Sequence, residues 1–343
     1  MAGIPEPREQ AAPLFSVVVP TRGEPQKLLS LLRRIEGQSL ARDRFEIIVA
    51  FDGVEPDSRV TASLDSMRGR AVPLARRAGP GAARNAGAAV ARGEYLAFTE
   101  DDCSPEPDWL ERAAARLAAQ PALDAIEGAT LKPGGRPVRT MAAGGRLYLP
   151  TNLFVRRERF ARLGGYYEGF FDPANGAYFR EDSDFGFTLE EAGARIESAP
   201  EVKVTHPDEH PGWLDPLRWA RRYEMDALLA SRHPRLFRER IEVHRLGPVT
   251  IRRPIVRAAS AYVLALIAAT ASAAFGHDGL AATFLLIAFI AFLPIWAKWG
   301  LALWRLPVAL LVPFALLAAL VRGGRRVRGV AAASSPDTKS SSS

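Results

Sequence analysis

The stretch that decides the fold is YLAFTEDDC, residues 95–103, in which a short apolar run is followed at once by three carboxylates. Tyr95–Phe98 has the length and composition of a strand that is buried in a parallel sheet. The adjacent Glu100, Asp101 and Asp102 repel one another, which costs free energy unless a cation lies among them. Because open α/β sheets bind ligands at the carboxyl ends of their strands, the stretch predicts a divalent-metal site in a ligand crevice. The alternative is a solvated acidic turn before the next helix.

Apolar runs and helical patterns alternate on both sides of this stretch. Strands are predicted at 15–20, 45–51, 72–75, 95–99, 124–129 and 151–156, with one or two short strands within 195–204. Helices are predicted at 28–35, 81–92, 108–119, 180–192 and 213–231. Strands that alternate with helices at this spacing indicate a mostly parallel sheet that is covered on both faces. The expected fold class is therefore α/β and Rossmann-like, in a domain at 14–235. The Gly-, Pro- and Arg-rich segment 131–150 interrupts the pattern and predicts a mobile loop.

The charge of the chain is uneven along its 343 residues, although the formal net charge is +7. Residues 1–251 contain 35 Lys and Arg against 36 Asp and Glu, whereas residues 252–343 contain 10 against 2. The basic excess therefore lies in the tail, which argues against a nucleic-acid-binding domain and favours a membrane-flanking segment. The single cysteine, Cys103, excludes an intramolecular disulfide. Residues 1–13 are polar and Pro-rich, so we expect a disordered N-terminus without a signal peptide.

Three runs without charged residues, 258–275, 280–297 and 306–321, follow the globular part. The first two are long enough to cross a bilayer and form a predicted hairpin, whose basic flanks place both ends in the cytoplasm. If the third run also crosses, the basic cluster after it lies outside, against the positive-inside rule; the third run could instead be re-entrant or interfacial. The alternative for all three is a buried helical subdomain. The expected order is a juxtamembrane linker (236–257), a membrane region of two or three helices (258–321) and a basic, then Ser-rich, disordered tail (322–343).

Polar residues follow several of the early strands, where a parallel sheet places its ligand crevice. Thr21 to Glu24 follow the first strand, and Asp52 with Gly53 follows the second. A Gly-rich turn, GPGAARNAG at 79–87, begins a helix and can present backbone N–H groups and an arginine to a diphosphate. Each signal is weak alone, because Asp-Gly is commonly just a turn, but these segments and the acidic triplet in this order are far more specific.

In these motifs the chain resembles the family 2 glycosyltransferases, which are inverting nucleotide-sugar enzymes with the glycosyltransferase A fold. The resemblance runs from about Phe15 to about Ser231 and rests on VVVPTRGE, IIVAFDG, GPGAARNAG, YLAFTEDDCSPEPDWL, TNLFVRRERFARLGGYYEGF and REDSDFGFTLEEAG. It implies a glycosyltransferase A domain, with C-terminal transmembrane helices after it, and a UDP- or GDP-sugar as donor. The matching donor-binding residues are Pro20, Thr21, Glu24, Asp52, Arg84, Asn85 and Asp101.

The resemblance also implies a site for Mg²⁺ or Mn²⁺, because the acidic triplet matches the family's Asp-x-Asp element. Asp102 is the expected metal ligand, and Glu100 replaces the usual first Asp with a side chain that is one methylene longer. His206 follows a predicted strand, at a position near which several relatives complete the metal shell with a histidine. The alternative for His206 is a surface histidine in a Pro-rich loop.

Glu181 and Asp182 match the Glu-Asp pair of the family, and the resemblance implies Asp182 as the catalytic base beside Glu181. Inversion needs the acceptor hydroxyl to attack from the face opposite the leaving nucleotide, so a carboxylate must take its proton. The leaving diphosphate gathers negative charge, which a divalent cation neutralises. The alternative is simple acidity at a helix N-terminus.

Asp184, Arg218 and Trp219 are the candidates for the acceptor and diphosphate side. The segment DPLRW at 215–219 resembles a degraded Gln-x-x-Arg-Trp signature of processive polysaccharide synthases, with Asp215 in place of Gln. Arg218 could bind diphosphate and Trp219 could stack on an acceptor sugar. The alternative is an amphipathic helix that lies on the membrane or the core. Because no span precedes the catalytic domain, we expect transfer of one or a few sugars.

The expected function is a membrane-anchored inverting glycosyltransferase, with its catalytic domain on the cytoplasmic side of the inner membrane. Its acceptor would be a lipid-linked sugar, a glycolipid or a cell-envelope polysaccharide, and no nucleic acid is expected as a partner. Two alternatives stay open: an inactive scaffold that binds nucleotide sugars, and a nucleotidyltransferase on a similar fold. Cysteine and histidine are too sparse for a structural zinc cluster or a Cys–His nucleophile pair.

Overall fold

The computed structural model describes residues 12–138, 148–208, 212–246 and 249–333. The described chain divides into two compact units. The first unit comprises 12–138, 148–176 and 181–208, and the second comprises 177–180, 212–246 and 249–333. Nearly all of the predicted disordered N-terminus and the centre of the predicted mobile loop lie outside the described residues.

The first unit is built on one eight-stranded sheet. Its strands are β1 (Phe15–Thr21), β2 (Phe45–Phe51), β3 (Arg70–Pro73), β4 (Tyr95–Phe98), β5 (Ser104–Pro105), β6 (Ala125–Leu131), β7 (Leu153–Arg156) and β10 (Ile196–Thr205). The short strand β8 (Phe171–Asp172) lies outside the sheet, and the short strand β9 (Ala177–Tyr178) belongs to the second unit. The order in the sheet is β3-β2-β1-β4-β7-β6-β10-β5. Strands β1 to β4 pair in parallel, as do β6 and β10, whereas β7 and β5 run antiparallel to their neighbours. The prediction of a mostly parallel α/β sheet is confirmed.

Helices of the first unit connect these strands. They are α1 (Pro25–Glu36), α2 (Ser58–Ser66), α3 (Pro80–Ala89), α4 (Trp109–Ala119), α5 (Arg157–Arg162) and α6 (Glu181–Glu191). The sequence pattern did not predict α2 or α5. Only Val60 and Leu64 of α2, and only Phe160 of α5, are buried, so neither helix carries enough apolar residues for a detectable helical period.

Strand register brings three loops to one edge of the sheet. Every residue of β1 and β2 is buried, and their parallel ladder ends with Thr21 opposite Phe51. On the other side of β1, Val18 pairs with Phe98 at the end of β4. The loops that follow β1, β2 and β4 therefore leave the sheet at the same edge, as the sequence predicted for its polar motifs.

A buried asparagine fixes the irregular half of the sheet. Asn152 Nδ2 donates hydrogen bonds to the carbonyls of Ala129 (3.0 Å) and Val202 (2.9 Å), and its Oδ1 accepts from Trp109 Nε1 (2.9 Å). Val202 lies in a bulge of β10, where the register with β6 shifts. Gly128 gives the amide room, since a Cβ there would lie 2.3 Å from Asn152 Nδ2. Asn152 therefore satisfies the carbonyl that the bulge frees and fixes the end of β10.

The second unit is mainly helical. Besides β9, its α-helices and strands are α7 (Asp215–Arg222), α8 (Glu224–Arg232), α9 (Pro234–Leu236), β11 (Val243–Leu246), β12 (Val249–Arg252), α10 (Pro254–Ala274), α11 (Asp278–Ala297), α12 (Leu306–Ala309) and α13 (Val312–Ala333). The helix predicted at 213–231 is two helices that meet at Tyr223. The predicted linker at 236–257 contains an antiparallel hairpin of β11 and β12.

Three helical segments of the second unit are long and apolar enough to cross a membrane: Pro254–Ala274, Asp278–Ala297 and Leu303–Arg328. An apolar cluster that includes Tyr262, Phe292 and Leu316 packs α10, α11 and α13 together. Helix α13 continues to Ala333, so the first part of the tail that the sequence predicted as disordered is helical. Alanine and arginine are good helix formers, and the run continues the preceding apolar helix without a break.

Replacement of Asn152 by Ala should destabilise the first unit by about 3 kcal/mol, because it strands one buried N–H and two buried carbonyls. Cys103 is buried in this unit and is the chain's single thiol, so its labelling rate across a denaturant series measures the free energy of unfolding. The exposed Asn175 bonds Asp172 at the surface, and Asn175→Ala should change stability by less than about 0.5 kcal/mol. Equal midpoints for the two variants would contradict this role of Asn152.

Candidate active site

The end of β1 is hydrogen-bonded to the acidic triplet at 100–102. Thr21 Oγ1 donates a hydrogen bond to Asp101 Oδ2 (2.5 Å) and accepts one from the backbone of Gly23 (3.1 Å). Burial, together with the neighbouring carboxylates, raises the pKa of Asp101 to about 6. Pro20 is buried within β1, whereas Glu24 is exposed and pairs with Lys27 at 2.8 Å. Of this predicted donor set, Thr21 and Asp101 are thus in direct contact.

Asp52 lies at the end of β2 and fixes the chain before α3. Its carboxylate accepts backbone hydrogen bonds from Ala78 (2.6 Å) and from Gly79 (3.1 and 3.2 Å). The following Gly53 has a φ of +68°, and a Cβ there would lie 2.2 Å from the backbone nitrogen of Arg77. Glycine is required at this position by both the conformation and the close approach. Asp52 therefore orients the Gly-rich turn, a contact that the sequence did not predict.

Arg84 of α3 connects the two acidic sets, which lie about 80 residues apart in the sequence. Its guanidinium is 1% exposed and pairs with Glu100 Oε1 (2.9 Å), and its Nη1 lies 3.9 Å from Glu181 Oε1. The same group lies over the ring of Tyr166, 5.3 Å from its centroid. A buried guanidinium is stable only with such compensation.

Asn85 is committed to the backbone of Tyr166. Its Nδ2 donates to the Tyr166 carbonyl (2.8 Å), and its Oδ1 accepts from the Tyr166 N–H (2.9 Å). Gly165 permits this, since a Cβ there would lie 2.5 Å from Asn85 Oδ1. The predicted donor residue Asn85 therefore positions the ring that supports Arg84.

The three predicted metal ligands come together at one point. His206 Nε2 lies 3.5 Å from Glu100 Oε2 and 3.8 Å from Asp102 Oδ1. The hydrogen bond to Glu100 raises the pKa of His206. Burial opposes ionisation of Glu100, but the bond from His206 and the charge of Arg84 outweigh it and lower the pKa of Glu100.

These residues fit a divalent cation of the Mg²⁺ or Mn²⁺ kind. Asp102 Oδ1 is buried and has no hydrogen-bond partner among the described residues, and carboxylate and imidazole ligands suit such cations. Glu100, Asp102 and Cys103 also lie within 4.8 Å of one another. Burial raises the pKa of the Cys103 thiol, so the sulfur stays protonated and the oxygen and nitrogen atoms are the better ligands. The sequence singled out Cys103 only for disulfide counting.

Glu181, Asp182 and Asp184 form the first turn of α6. Burial, followed by the negative charge of Asp182, raises the pKa of Glu181 to about 7. Asp182 is partly exposed and accepts a hydrogen bond from the backbone of Ser183 (2.6 Å), whereas Asp184 is buried. Glu181 thus faces Arg84, and Asp182 is the member of the pair with access to solvent.

Arg218 and Trp219 lie in the second unit, on α7. Arg218 pairs with Asp215 at 3.0 Å, across one helical turn. Trp219 packs edge-on against Tyr223 and Trp299, and Lys298 Nζ lies 4.3 Å from its ring centroid. The proposed roles of these two residues toward diphosphate and acceptor stay predictions.

Sequence reasoning missed the role of Tyr166. Its ring is buried against Phe98, Phe160 and Phe185, and its hydroxyl is buried without a hydrogen-bond partner among the described residues. The available signal was the pair of glycines before it, which indicate a close backbone approach. Its burial among these rings assigns Tyr166 to the core.

Comparison with known proteins is decided by one match: residues 16–186 fit the family model described as Glycosyl transferase family 2. The chain belongs to this family. Curated relatives include the pre-mycofactocin glycosyltransferase of Mycobacterium tuberculosis, 27% identical over 60% of this chain and 46% of that protein. Glycosyltransferase AglE of Haloferax volcanii is 28% identical over 31% of this chain and 36% of that protein. The chain spans less than half the length of these relatives.

Two solved structures share the fold. The mannosyltransferase PcManGT of Pyrobaculum calidifontis, solved with GDP-Man and Mn²⁺, is 21% identical with a TM-score of 0.54, over 91% of this chain and 87% of that one. The S. aureus protein TarS, in a structure of its residues 1–349, is 19% identical with a TM-score of 0.50, over 66% and 70%. The expected glycosyltransferase A fold is confirmed, as is the resemblance on which it rested.

Proposed function

We propose that this family 2 protein is an inverting glycosyltransferase that transfers a sugar from a nucleotide-sugar donor to an acceptor at a membrane. The observation that carries the proposal is the position of Arg84, whose buried guanidinium contacts Glu100 and lies 3.9 Å from Glu181. Guanidinium binds phosphate oxygens through paired hydrogen bonds. Arg84 therefore supplies positive charge between the proposed metal ligands at 100–102 and the Glu181–Asp182 pair that would accept a proton.

The donor would lie along the edge at which β1, β2 and β4 end. Thr21 with Asp101, and the turn that Asp52 orients, line this edge. A UDP- or GDP-sugar is the donor class we propose, because the Pyrobaculum neighbour was solved with GDP-Man. Glu100, Asp102 and His206 would hold Mg²⁺ or Mn²⁺, and when bound the cation would neutralise charge on the leaving diphosphate.

Asp182 would be the catalytic base that takes the proton of the acceptor hydroxyl. Glu181, buried beside it, keeps its own proton up to about pH 7 because its pKa is raised. Two adjacent carboxyl groups then carry one negative charge between them, and it resides on the more exposed Asp182. The chain thus keeps a base open to the acceptor without placing two charges next to a diphosphate.

For attachment to the inner membrane, we propose that α10 and α11 cross as a hairpin and that α13 lies along the interface without crossing. Trp219 contacts Trp299, which follows the end of α11. Glu224, the first residue of the next helix, α8, contacts α13: its Oε2 pairs with Arg322 Nε at 3.1 Å. Trp219 and Glu224 are five residues apart and cannot lie on opposite sides of a hydrocarbon core of about 30 Å.

Close packing strengthens this assignment. A Cβ at Gly323 would lie 2.2 Å from the Glu224 carbonyl, so the backbones of α13 and α8 are in contact. The basic residues after the third apolar run then lie on the same side as Arg257 and Lys298. This arrangement removes the conflict with the positive-inside rule that a third crossing would create. The catalytic domain would be cytoplasmic.

Asp182→Asn should lower kcat by about 10²–10⁴-fold, as expected for loss of a general base, whereas Glu181→Gln should keep kcat within about fivefold. As the pH rises through about 7, Glu181 loses its proton and adds a charge that repels the donor, so the donor KM of the wild type should rise; Glu181→Gln should lack this rise. The measurement is nucleoside-diphosphate release by the detergent-solubilised chain across a panel of nucleotide sugars. Donor binding without turnover, even with membrane lipid extract, would favour the scaffold instead.

Asp102→Asn should weaken Mn²⁺ binding at least tenfold in the absence of donor, because it removes the negative charge of a carboxylate whose buried Oδ1 has no hydrogen-bond partner in the described structure. Free Mn²⁺ can be counted by electron paramagnetic resonance, which does not depend on activity. Asp65→Asn removes an exposed carboxylate elsewhere on the domain and should leave binding unchanged. Equal affinity in both variants would remove Asp102 from the metal site.

The two-pass topology can be tested with single cysteines in a Cys103→Ser background. A membrane-impermeant maleimide should label His277→Cys, in the turn between α10 and α11, only in intact cells. It should label Ser66→Cys and Arg325→Cys only in inside-out vesicles. Labelling of Arg325→Cys in intact cells, with Ser66→Cys protected as a control for lysis, would show that α13 crosses.

A further inference from the structure

A basic cavity lies in the second unit, close to the start of α10. Its volume is about 610 Å³, and its lining residues are Arg235, Arg238, Glu239, Val243, Thr250 and Arg252. We propose that this cavity binds the phosphate-bearing headgroup of an anionic phospholipid. The proposal concerns a site apart from the sugar-transfer chemistry; it rests only on the crossing of the membrane by α10.

The charges that face the cavity favour an anion. Arg235 pairs with Glu239 at 3.0 Å, so those two charges cancel. Arg238 uses its Nε to bond the Pro234 carbonyl (3.0 Å), and its terminal nitrogens have no further partner among the described residues. Arg252 likewise forms no ion pair with any residue that the structure describes. Two uncompensated guanidinium groups therefore border one cavity, and each offers the paired donors that suit phosphate oxygens.

The position of the cavity along the chain places it at headgroup depth. Arg252 comes two residues before Pro254, the first residue of α10. Between them, Arg253 Nε bonds Glu242 Oε1 at 2.7 Å, and its guanidinium lies 5.3 Å from the Phe237 ring. This contact fastens the start of the apolar helix to the segment that forms the cavity wall. A basic pocket at the cytoplasmic end of a span lies where anionic headgroups are concentrated.

The other lining groups match a glycerophospholipid more closely than free phosphate. The volume exceeds what a phosphate needs and lies within the range of small-molecule pockets. Val243 pairs with Arg252 across the β-hairpin and gives an apolar wall that glycerol carbons can contact. Thr250 is exposed and offers a hydroxyl to a headgroup or phosphate oxygen. A zwitterionic headgroup would bring its own cation toward the two arginines, which disfavours it.

The test is native mass spectrometry of the full chain in detergent, with phosphatidylglycerol or phosphatidylcholine added at equal concentration. We expect the wild type to retain one phosphatidylglycerol at least tenfold more than phosphatidylcholine. The double variant Arg238→Ala, Arg252→Ala should lose this preference. The matched control Arg257→Ala, Arg325→Ala removes the same charge from exposed positions near the membrane and should keep it.

Three outcomes would overturn the proposal. Equal loss in the control variant would mean that lipid is attracted by the general basic charge and not by the cavity. If glycerol 1-phosphate displaces phosphatidylglycerol when both are added at the same millimolar concentration, the cavity would be a site for a soluble phosphate ester and not for a lipid. If Arg238→Lys, Arg252→Lys, which keeps both charges and guards against misfolding, binds no more lipid than the alanine variant, the loss would reflect altered structure.

Discussion

The buried guanidinium of Arg84 is the interaction on which the site depends. A charge in this position costs several kcal/mol unless partners compensate it, and the fold supplies the carboxylate of Glu100 from the β4 loop at 2.9 Å. Glu181 of α6, which keeps its proton up to about pH 7, lies 3.9 Å from the same guanidinium. The ring of Tyr166 packs against the Arg84 guanidinium, and Asn85 holds the backbone of Tyr166 by hydrogen bonds. The loops of the site are therefore oriented by one cation, which also explains why residues distant in sequence meet.

Apolar pattern was sufficient to predict the sheet, because its strands are buried runs that end in polar motifs. All seven residues of β1 and of β2 are buried, as expected of apolar runs of strand length in the centre of a sheet. The antiparallel insertion of β7 between β4 and β6 was not predictable in this way, since a short apolar run carries no sign of its direction. Nor could the bulge in β10 be foreseen, because it depends on Asn152 from another part of the chain.

The residues of the site were predicted by motif, but their partners were not. Asp52 was expected to bind the donor, and in the structure its carboxylate accepts hydrogen bonds from two backbone N–H groups. Asn85 was expected to line the donor site, and its amide bonds the backbone of Tyr166; the donor-binding roles of both residues stay predictions. Motifs record which residue type a position requires, whereas the contact that requires it appears only when the loops are packed together.

The single carboxylate of Glu100 has a further consequence. One oxygen accepts a hydrogen bond from Arg84 and the other lies beside His206. A cation or donor that binds one oxygen withdraws negative charge from the carboxylate and weakens the interaction at the other oxygen. Binding events at the two neighbours are then linked through a shared ligand. Such a coupling is reciprocal: the factor by which a cation changes the affinity for an anion at Arg84 equals the factor by which that anion changes the affinity for the cation. An Asp at position 100, one methylene shorter, would not span both groups in the same way.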